Sequence, residues 1–194
     1  MNKITALLII FFIAGCKEKK PDKHIDVFPA LSFIKGQIRQ VDSSLYRIVV
    51  IKTENNKSDT SYAKREEFGM LAKDFTDLPD IGSDKLKNDY EETQFYDETL
   101  QSVILTYIAN EKDNEVQRQD VIIDQANAAG LNDVETIIVH TIENKRKTTI
   151  SKNLVWYANK KFTVITKTNK GDEAEKISKL EVIWNDEDLA NAMN

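Results

Sequence analysis

Residues 148–168, TTISKNLVWYANKKFTVITKT, decide the fold of this chain. They contain two runs rich in β-branched and aromatic residues, 148–157 and 161–168, separated by the polar pair Asn159-Lys160. In the second run the pattern alternates: Phe162, Val164 and Thr166 against Lys161 and Lys167. Alternation with a period of two indicates a strand with one buried and one wet face. A connection this short joins antiparallel neighbours, because a parallel crossover needs about a dozen or more residues.

The same pattern extends in both directions from this stretch. Four further strand candidates cover residues 100–109, 115–124, 134–143 and 177–184. In the last of them Leu180, Val182 and Trp184 face one way. Most of the connections are short and polar, so the sequence predicts an antiparallel meander of about six strands.

The sequence of the N-terminal half predicts two helices and a β-hairpin. Residues 27–41 place an apolar stripe at steps of three and four, made by Phe28, Leu31, Ile34, Ile38 and Val41. Residues 45–62 read as a β-hairpin around the polar turn 54–57. A second apolar stripe over 68–78 predicts one continuous helix, and residues 83–98 carry no assignable pattern. Helices that cover the apolar side of an antiparallel sheet give an α+β fold.

Composition limits both the number of domains and the partners. The chain has 194 residues, of which 41% are hydrophobic and 30% charged. This predicts one globular domain over residues 26–194. The net charge is −5, and −6 without residues 1–15, which hold one lysine and no acid. Nucleic acid is not expected as a partner, because its binding needs clustered basic residues.

The N-terminus has the pattern of an export signal. Lys3 precedes an apolar run over residues 4–14, and charge resumes at Lys17. A transmembrane helix needs about 20 apolar residues to cross a hydrocarbon core of roughly 30 Å. The run is too short for that, so residues 1–15 are predicted to be a cleaved signal peptide.

The tetrapeptide Ile13-Ala14-Gly15-Cys16 resembles the lipobox of bacterial lipoproteins. The resemblance implies cleavage between Gly15 and Cys16 and acylation of Cys16, with palmitate among the expected chains. It also implies a location in the cell envelope, with the domain in the periplasm. Lys17 is not the acidic residue that retains some of these proteins in the inner membrane, so the outer membrane is expected. Residues 16–25 would be the acylated cysteine and a flexible tether. In layout the mature region resembles uncharacterised lipoproteins of Gram-negative envelopes.

Residues able to carry chemistry are few. Cys16 is the single cysteine, and His24 and His140 are the only histidines. No phosphate loop, nucleophile elbow or metalloprotease helix occurs, so no catalytic, metal or cofactor residue is assigned. Trp156, Tyr157 and Trp184 form a candidate ligand groove, although aromatic residues on strands are more often core.

Three functions remain open from the sequence. The leading hypothesis is a membrane-anchored, non-enzymatic interaction or binding module whose partners are envelope proteins. The alternative is a carrier of a lipid or other amphiphile, which requires an apolar cavity in the sheet. The third is a hydrolase of envelope polymers, which requires a cleft with convergent carboxylates or His140 bonded to a hydroxyl.

Overall fold

In a computed structural model that describes residues 27–124, 134–171 and 173–185, the chain forms an α+β fold. The described part contains three α-helices: α1 (Ala30–Asp42), α2 (Phe68–Leu71) and α3 (Lys73–Thr76). Short 3₁₀ turns lie at Arg65–Glu67 and Lys87–Asp89. The strands are β1 (Ile48–Glu54), β2 (Lys57–Ala63), β3 (Tyr90–Asp97), β4 (Ser102–Ala109), β5 (Val116–Asp124), β6 (Val134–Lys145), β7 (Thr148–Tyr157), β8 (Lys161–Lys170) and β9 (Lys176–Ile183).

All nine strands belong to one antiparallel sheet. Their order is β2-β1-β9-β8-β7-β6-β5-β4-β3. The six strands predicted after residue 100 are present as β4 to β9. The prediction of about six strands in the sheet is nevertheless wrong, because the N-terminal hairpin pairs with β9 through β1 and because β3 adds a strand at the other edge.

The turn of the N-terminal hairpin explains why its two strands pair in one register. Asn55 and Asn56 have φ angles of 49° and 61°, so both central residues are left-handed. Two left-handed residues define the type I′ turn, whose twist matches that of the strands it joins, and asparagine tolerates this conformation better than most residues. Glu54 therefore pairs directly with Lys57.

The strand β3 lies in the stretch that the sequence left unassigned. It forms one edge of the sheet, and most of its side chains are exposed on both faces. An edge strand without a buried face shows no alternation of apolar and polar residues, so the period-two signal is missing.

The prediction of a single helix over 68–78 is corrected to two short helices with a break at Ala72, where φ is −84° and ψ is 7°. Phe68 and Phe75 both contact the rings of Trp156 and Phe162. In a continuous helix two residues seven positions apart are separated by about 10.5 Å along the axis. The break lets both rings reach the same pair of partners.

The core lies between the helices and one face of the sheet, called here the inner face. One row of paired residues crosses this face from β1 to β5: Val50, Val182, Phe162, Trp156, Ile137 and Val121. Helix α1 covers it with Ile34, Ile38 and Val41, as its apolar stripe predicts. Gln37 fixes the position of α1, because its amide donates to Asn159 Oδ1 at 2.8 Å and accepts from the Asn159 backbone N–H at 2.7 Å.

Candidate functional site

The predicted lipidation site lies outside the described residues, as do the signal peptide, the tether and His24. Among the described residues, no helix is both long enough and apolar enough to cross a membrane.

The three aromatic residues of the candidate groove do not share a surface. Trp156 is 0% exposed and Trp184 is buried beside it, with 5.3 Å between ring centroids. Tyr157 points to the opposite face of the sheet, where it is 37% exposed and the Lys161 ammonium lies 5.6 Å from its ring centroid. Adjacent strand residues point to opposite faces, which separates Tyr157 from Trp156.

The interior beneath the helices is filled by aromatic rings. Trp156 stacks on Phe162 at 5.3 Å, and Phe75 meets Trp156 edge-on at 5.2 Å. The apolar pocket beside this cluster, between α1, α3 and the sheet, has a volume of about 10 Å³. That is room for about one water molecule.

His140 lies on the outer face of the sheet, opposite the helices. Its Nδ1 is 2.9 Å from Asn153 Oδ1 on the neighbouring strand β7. An amide oxygen holds the imidazole here, and no hydroxyl or carboxylate is bonded to it within the described chain.

A second polar cluster lies near His140 on the outer face. Asp120 is buried and accepts a hydrogen bond from Thr106 Oγ1 at 2.6 Å; its two oxygens also share the single N–H of Arg118 Nε, at 3.0 Å from Oδ1 and 2.8 Å from Oδ2. The hydrogen bond to Asp120 raises the pKa of Arg118 above its ordinary value. These partners satisfy the carboxylate, so the cluster joins β4 to β5.

A polar pocket opens where the apolar rows of the inner face end. On β6 the inner side chains change from Val139 to Thr141, and on β7 from Leu154 to Lys152. Thr141 pairs with Lys152 in the sheet. The pocket has a volume of about 180 Å³, and its lining residues are Asp74, Asp77, Leu78, Glu115, Thr141, Glu143, Ile150 and Lys152. We call it the Thr141 pocket.

Two elements besides the sheet build the walls of the Thr141 pocket. Phe75, which is fully buried in the aromatic cluster, anchors α3 and thereby brings Asp74 to the sheet. The Lys152 ammonium donates to Asp74 Oδ1 at 2.7 Å. The residue before β5, Glu115, forms another wall and accepts a backbone hydrogen bond from Ile142 on β6 at 3.0 Å.

The floor of the pocket is an unpartnered hydroxyl. Thr141 is 5% exposed, and within the described chain its Oγ1 makes no hydrogen bond. The buried side-chain atoms without a partner in the described chain are Gln119 Nε2 and Trp156 Nε1, so the Thr141 oxygen keeps some accessible surface. Thr141 therefore presents a hydroxyl that can bond to water or to a ligand in the pocket.

The pKa of Tyr90 is affected by the charges near the pocket wall that contains Glu115. The Tyr90 hydroxyl donates to the Val116 carbonyl oxygen at 3.0 Å. Burial, with the negative charges of Asp89 and Glu115, raises the pKa of Tyr90 to about 12. The Tyr90 hydroxyl is therefore buried within the electrostatic influence of Asp89 and Glu115.

The sequence did not identify this pocket because its residues are scattered over four separate segments of the chain. One signal was present in the predicted strand 148–157. Ile150, Lys152, Leu154 and Trp156 share a face by alternation, and a lysine on an otherwise apolar face indicates that the face reaches a polar region. Among the residues that the structure describes, no group of three or more histidine, cysteine or acidic residues could hold a metal ion.

Comparison of the chain with protein-family models, curated proteins and solved structures finds no match. The geometry of the pocket and the N-terminal motif are therefore the features that indicate a function.

Proposed function

We propose that this protein is a lipid-anchored, non-enzymatic binding module of the bacterial cell envelope, with the Thr141 pocket as its ligand site. The observation that carries the proposal is the hydroxyl of Thr141, a residue only 5% exposed whose Oγ1 makes no hydrogen bond within the described chain and which lines a polar pocket of about 180 Å³.

The anchor is supported by the motif that ends in Gly15-Cys16. Each buried methylene of an acyl chain contributes about 0.8 kcal/mol, so two or more chains give lasting attachment. The proposed location is the outer membrane, with the domain in the periplasm. In bacteria grown with labelled palmitate, the wild-type protein should carry the label and Cys16→Ser should not. Equal labelling of both proteins, or of neither, would contradict the anchor.

The binding function is tested by thermal unfolding of the full chain, purified from membranes in detergent. The panel contains a diamine, a blocked lysine peptide, an amino sugar, a neutral sugar and a dicarboxylate. A ligand present at 100 times its dissociation constant stabilises the native state by about 2.7 kcal/mol. At least one compound should raise the unfolding temperature of the wild type and have less effect on Thr141→Val, which keeps the shape of the side chain but removes the hydroxyl. A panel without any shift would count against the proposal.

The carrier alternative gains no support from the described part of the chain. A carrier needs an apolar cavity large enough for an acyl chain, and the apolar pocket beside the aromatic cluster holds only about 10 Å³.

The hydrolase alternative gains one supporting observation, since four carboxylates line the Thr141 pocket. A general acid among them would need to be shielded from water, and the side chains of Asp77 and Glu143 are 63% and 45% exposed. Digestion of purified peptidoglycan by the wild type, with loss of turnover in Glu115→Gln or Glu143→Gln, would favour this alternative over the binding module.

A further inference from the structure

We infer that the ligand of the Thr141 pocket is an organic cation, a primary ammonium group on a short alkyl chain. The inference rests on the proposed function and adds the chemical class of the ligand. Four carboxylates and one ammonium line the pocket, Asp74, Asp77, Glu115 and Glu143 against Lys152. The lining therefore carries a net charge of −3, which favours a positively charged ligand and disfavours an anion.

The four carboxylates differ in how firmly they are already paired. Asp74 is held by Lys152 at 2.7 Å in a pair whose side chains are only about one-third exposed. Asp77 and Glu143 pair with Lys73 and Lys145, outside the lining, and most of these side chains are about half exposed or more. Exposed pairs of this kind contribute little free energy, so a ligand can replace them at small cost.

Glu115 is the acid best placed to receive a new cation. It is exposed, and its carboxylate makes no ion pair or side-chain hydrogen bond with any described residue. Thr141 Oγ1 can accept a hydrogen bond from the same ammonium group, because a hydroxyl offers two acceptor lone pairs. Glu115 directly precedes Val116, which pairs with Thr141 in the sheet, so both residues border the same part of the pocket.

The other walls of the pocket suit an alkyl chain. Leu78 and Ile150 are the apolar side chains of the lining. The volume of about 180 Å³ is far above the roughly 10–15 Å³ that a single water molecule needs, so the pocket has room for a short alkyl chain with an ammonium group. A metal ion would need ligands close to one point, and no group of three or more acidic, histidine or cysteine residues in the described part of the chain has that arrangement.

The test is calorimetric titration of the full chain in detergent with 1,5-diaminopentane. Neutral 1,5-pentanediol and the dianion glutarate are the matched probes. We expect the diamine to bind, its affinity to fall with added salt, and neither control probe to bind. Glu115→Gln should weaken diamine binding about tenfold, which is about 1.4 kcal/mol, and Thr141→Val should weaken it several-fold. Glu98→Gln, which removes an exposed acid in the turn between β3 and β4, is the matched control and should bind within twofold of wild type.

A second titration distinguishes the source of the ammonium group. A peptide with one lysine and blocked termini replaces the diamine, and binding to the peptide alone would assign the pocket to a protein partner. Binding of the diol or glutarate as tightly as the diamine, or full diamine affinity in Glu115→Gln, would overturn the inference. If only the neutral sugar or the dicarboxylate of the thermal panel binds and loses affinity in Thr141→Val, the cation assignment fails while the binding function stands. If no compound binds, the cation assignment and the proposed binding function both fail. The unfolding temperature of each variant without ligand confirms that it is folded.

Discussion

Replacement of Phe75 by alanine tests how α3 is held against the sheet. Phe75 is 0% exposed and contacts the rings of Trp156 and Phe162 at 5.2 and 5.4 Å between centroids. Truncation of a buried phenylalanine to alanine costs about 3–5 kcal/mol, because apolar burial is lost and a cavity remains. Each ring pair contributes about 0.5–1.5 kcal/mol within that total. We therefore expect a loss of about 4 kcal/mol in the free energy of unfolding.

The assay is urea unfolding of the full chain in detergent, followed by tryptophan fluorescence. Trp156 lies against Phe75, so its emission should also respond in the folded state. Met70→Ala is the matched control, since Met70 lies on the neighbouring helix α2 and is 78% exposed, and its change should stay within about 0.5 kcal/mol. If Phe75→Ala does not fold, Phe75→Leu provides a smaller perturbation of the same contacts. A loss below about 1 kcal/mol for Phe75→Ala would refute the packing argument.

Three further predictions concern other parts of the fold. The raised pKa of Tyr90 stabilises the native state below pH 10, and this contribution falls as the pH rises from 10 to 12. The free energy of unfolding of the wild type, relative to that of Tyr90→Phe, should therefore decrease by up to about 2.7 kcal/mol over that range. Urea unfolding at several pH values measures this difference. Asp120→Asn removes the charged acceptor for Thr106 and Arg118 and should cost about 1–2 kcal/mol by the same assay, and no loss would contradict the role given to this cluster. Asn56→Val places a β-branched residue at a φ of 61° and should lower the free energy of unfolding by about 1–2 kcal/mol, whereas Asn56→Gly should be tolerated. Thermal unfolding of both variants tests this prediction.

Most elements that the sequence predicted correctly have a buried and a wet face, whereas β2, which is exposed on both faces, was predicted from the polar turn of its hairpin. β8 shows this most clearly, because Phe162 and Val164 are buried while Lys167 is exposed. Helix α1 was predicted for the same reason, from the spacing of Ile34, Ile38 and Val41. β3 was missed because an edge strand has no buried face to impose a period.

The other differences arise from contacts between distant residues. The break at Ala72 depends on two rings of the sheet that both Phe68 and Phe75 reach, and local periodicity carries no information about it. The candidate groove failed to form as one surface because Trp156 and Tyr157 are adjacent on one strand. The Thr141 pocket depends on the pairing of β5, β6 and β7 and on the position of α3, so its residues come together only in the folded chain.

The most direct test of a lipid-anchored module with a ligand in the Thr141 pocket is native mass spectrometry of the protein extracted from bacterial membranes and incubated with 1,5-diaminopentane. The expected mass is that of a chain that begins at an acylated Cys16, with one diamine bound. A double variant, Glu115→Gln with Thr141→Val, should keep the acyl chains and lose the bound diamine. A chain that still begins at Met1 with an unmodified thiol would contradict the anchor, and equal occupancy in both proteins would contradict the site.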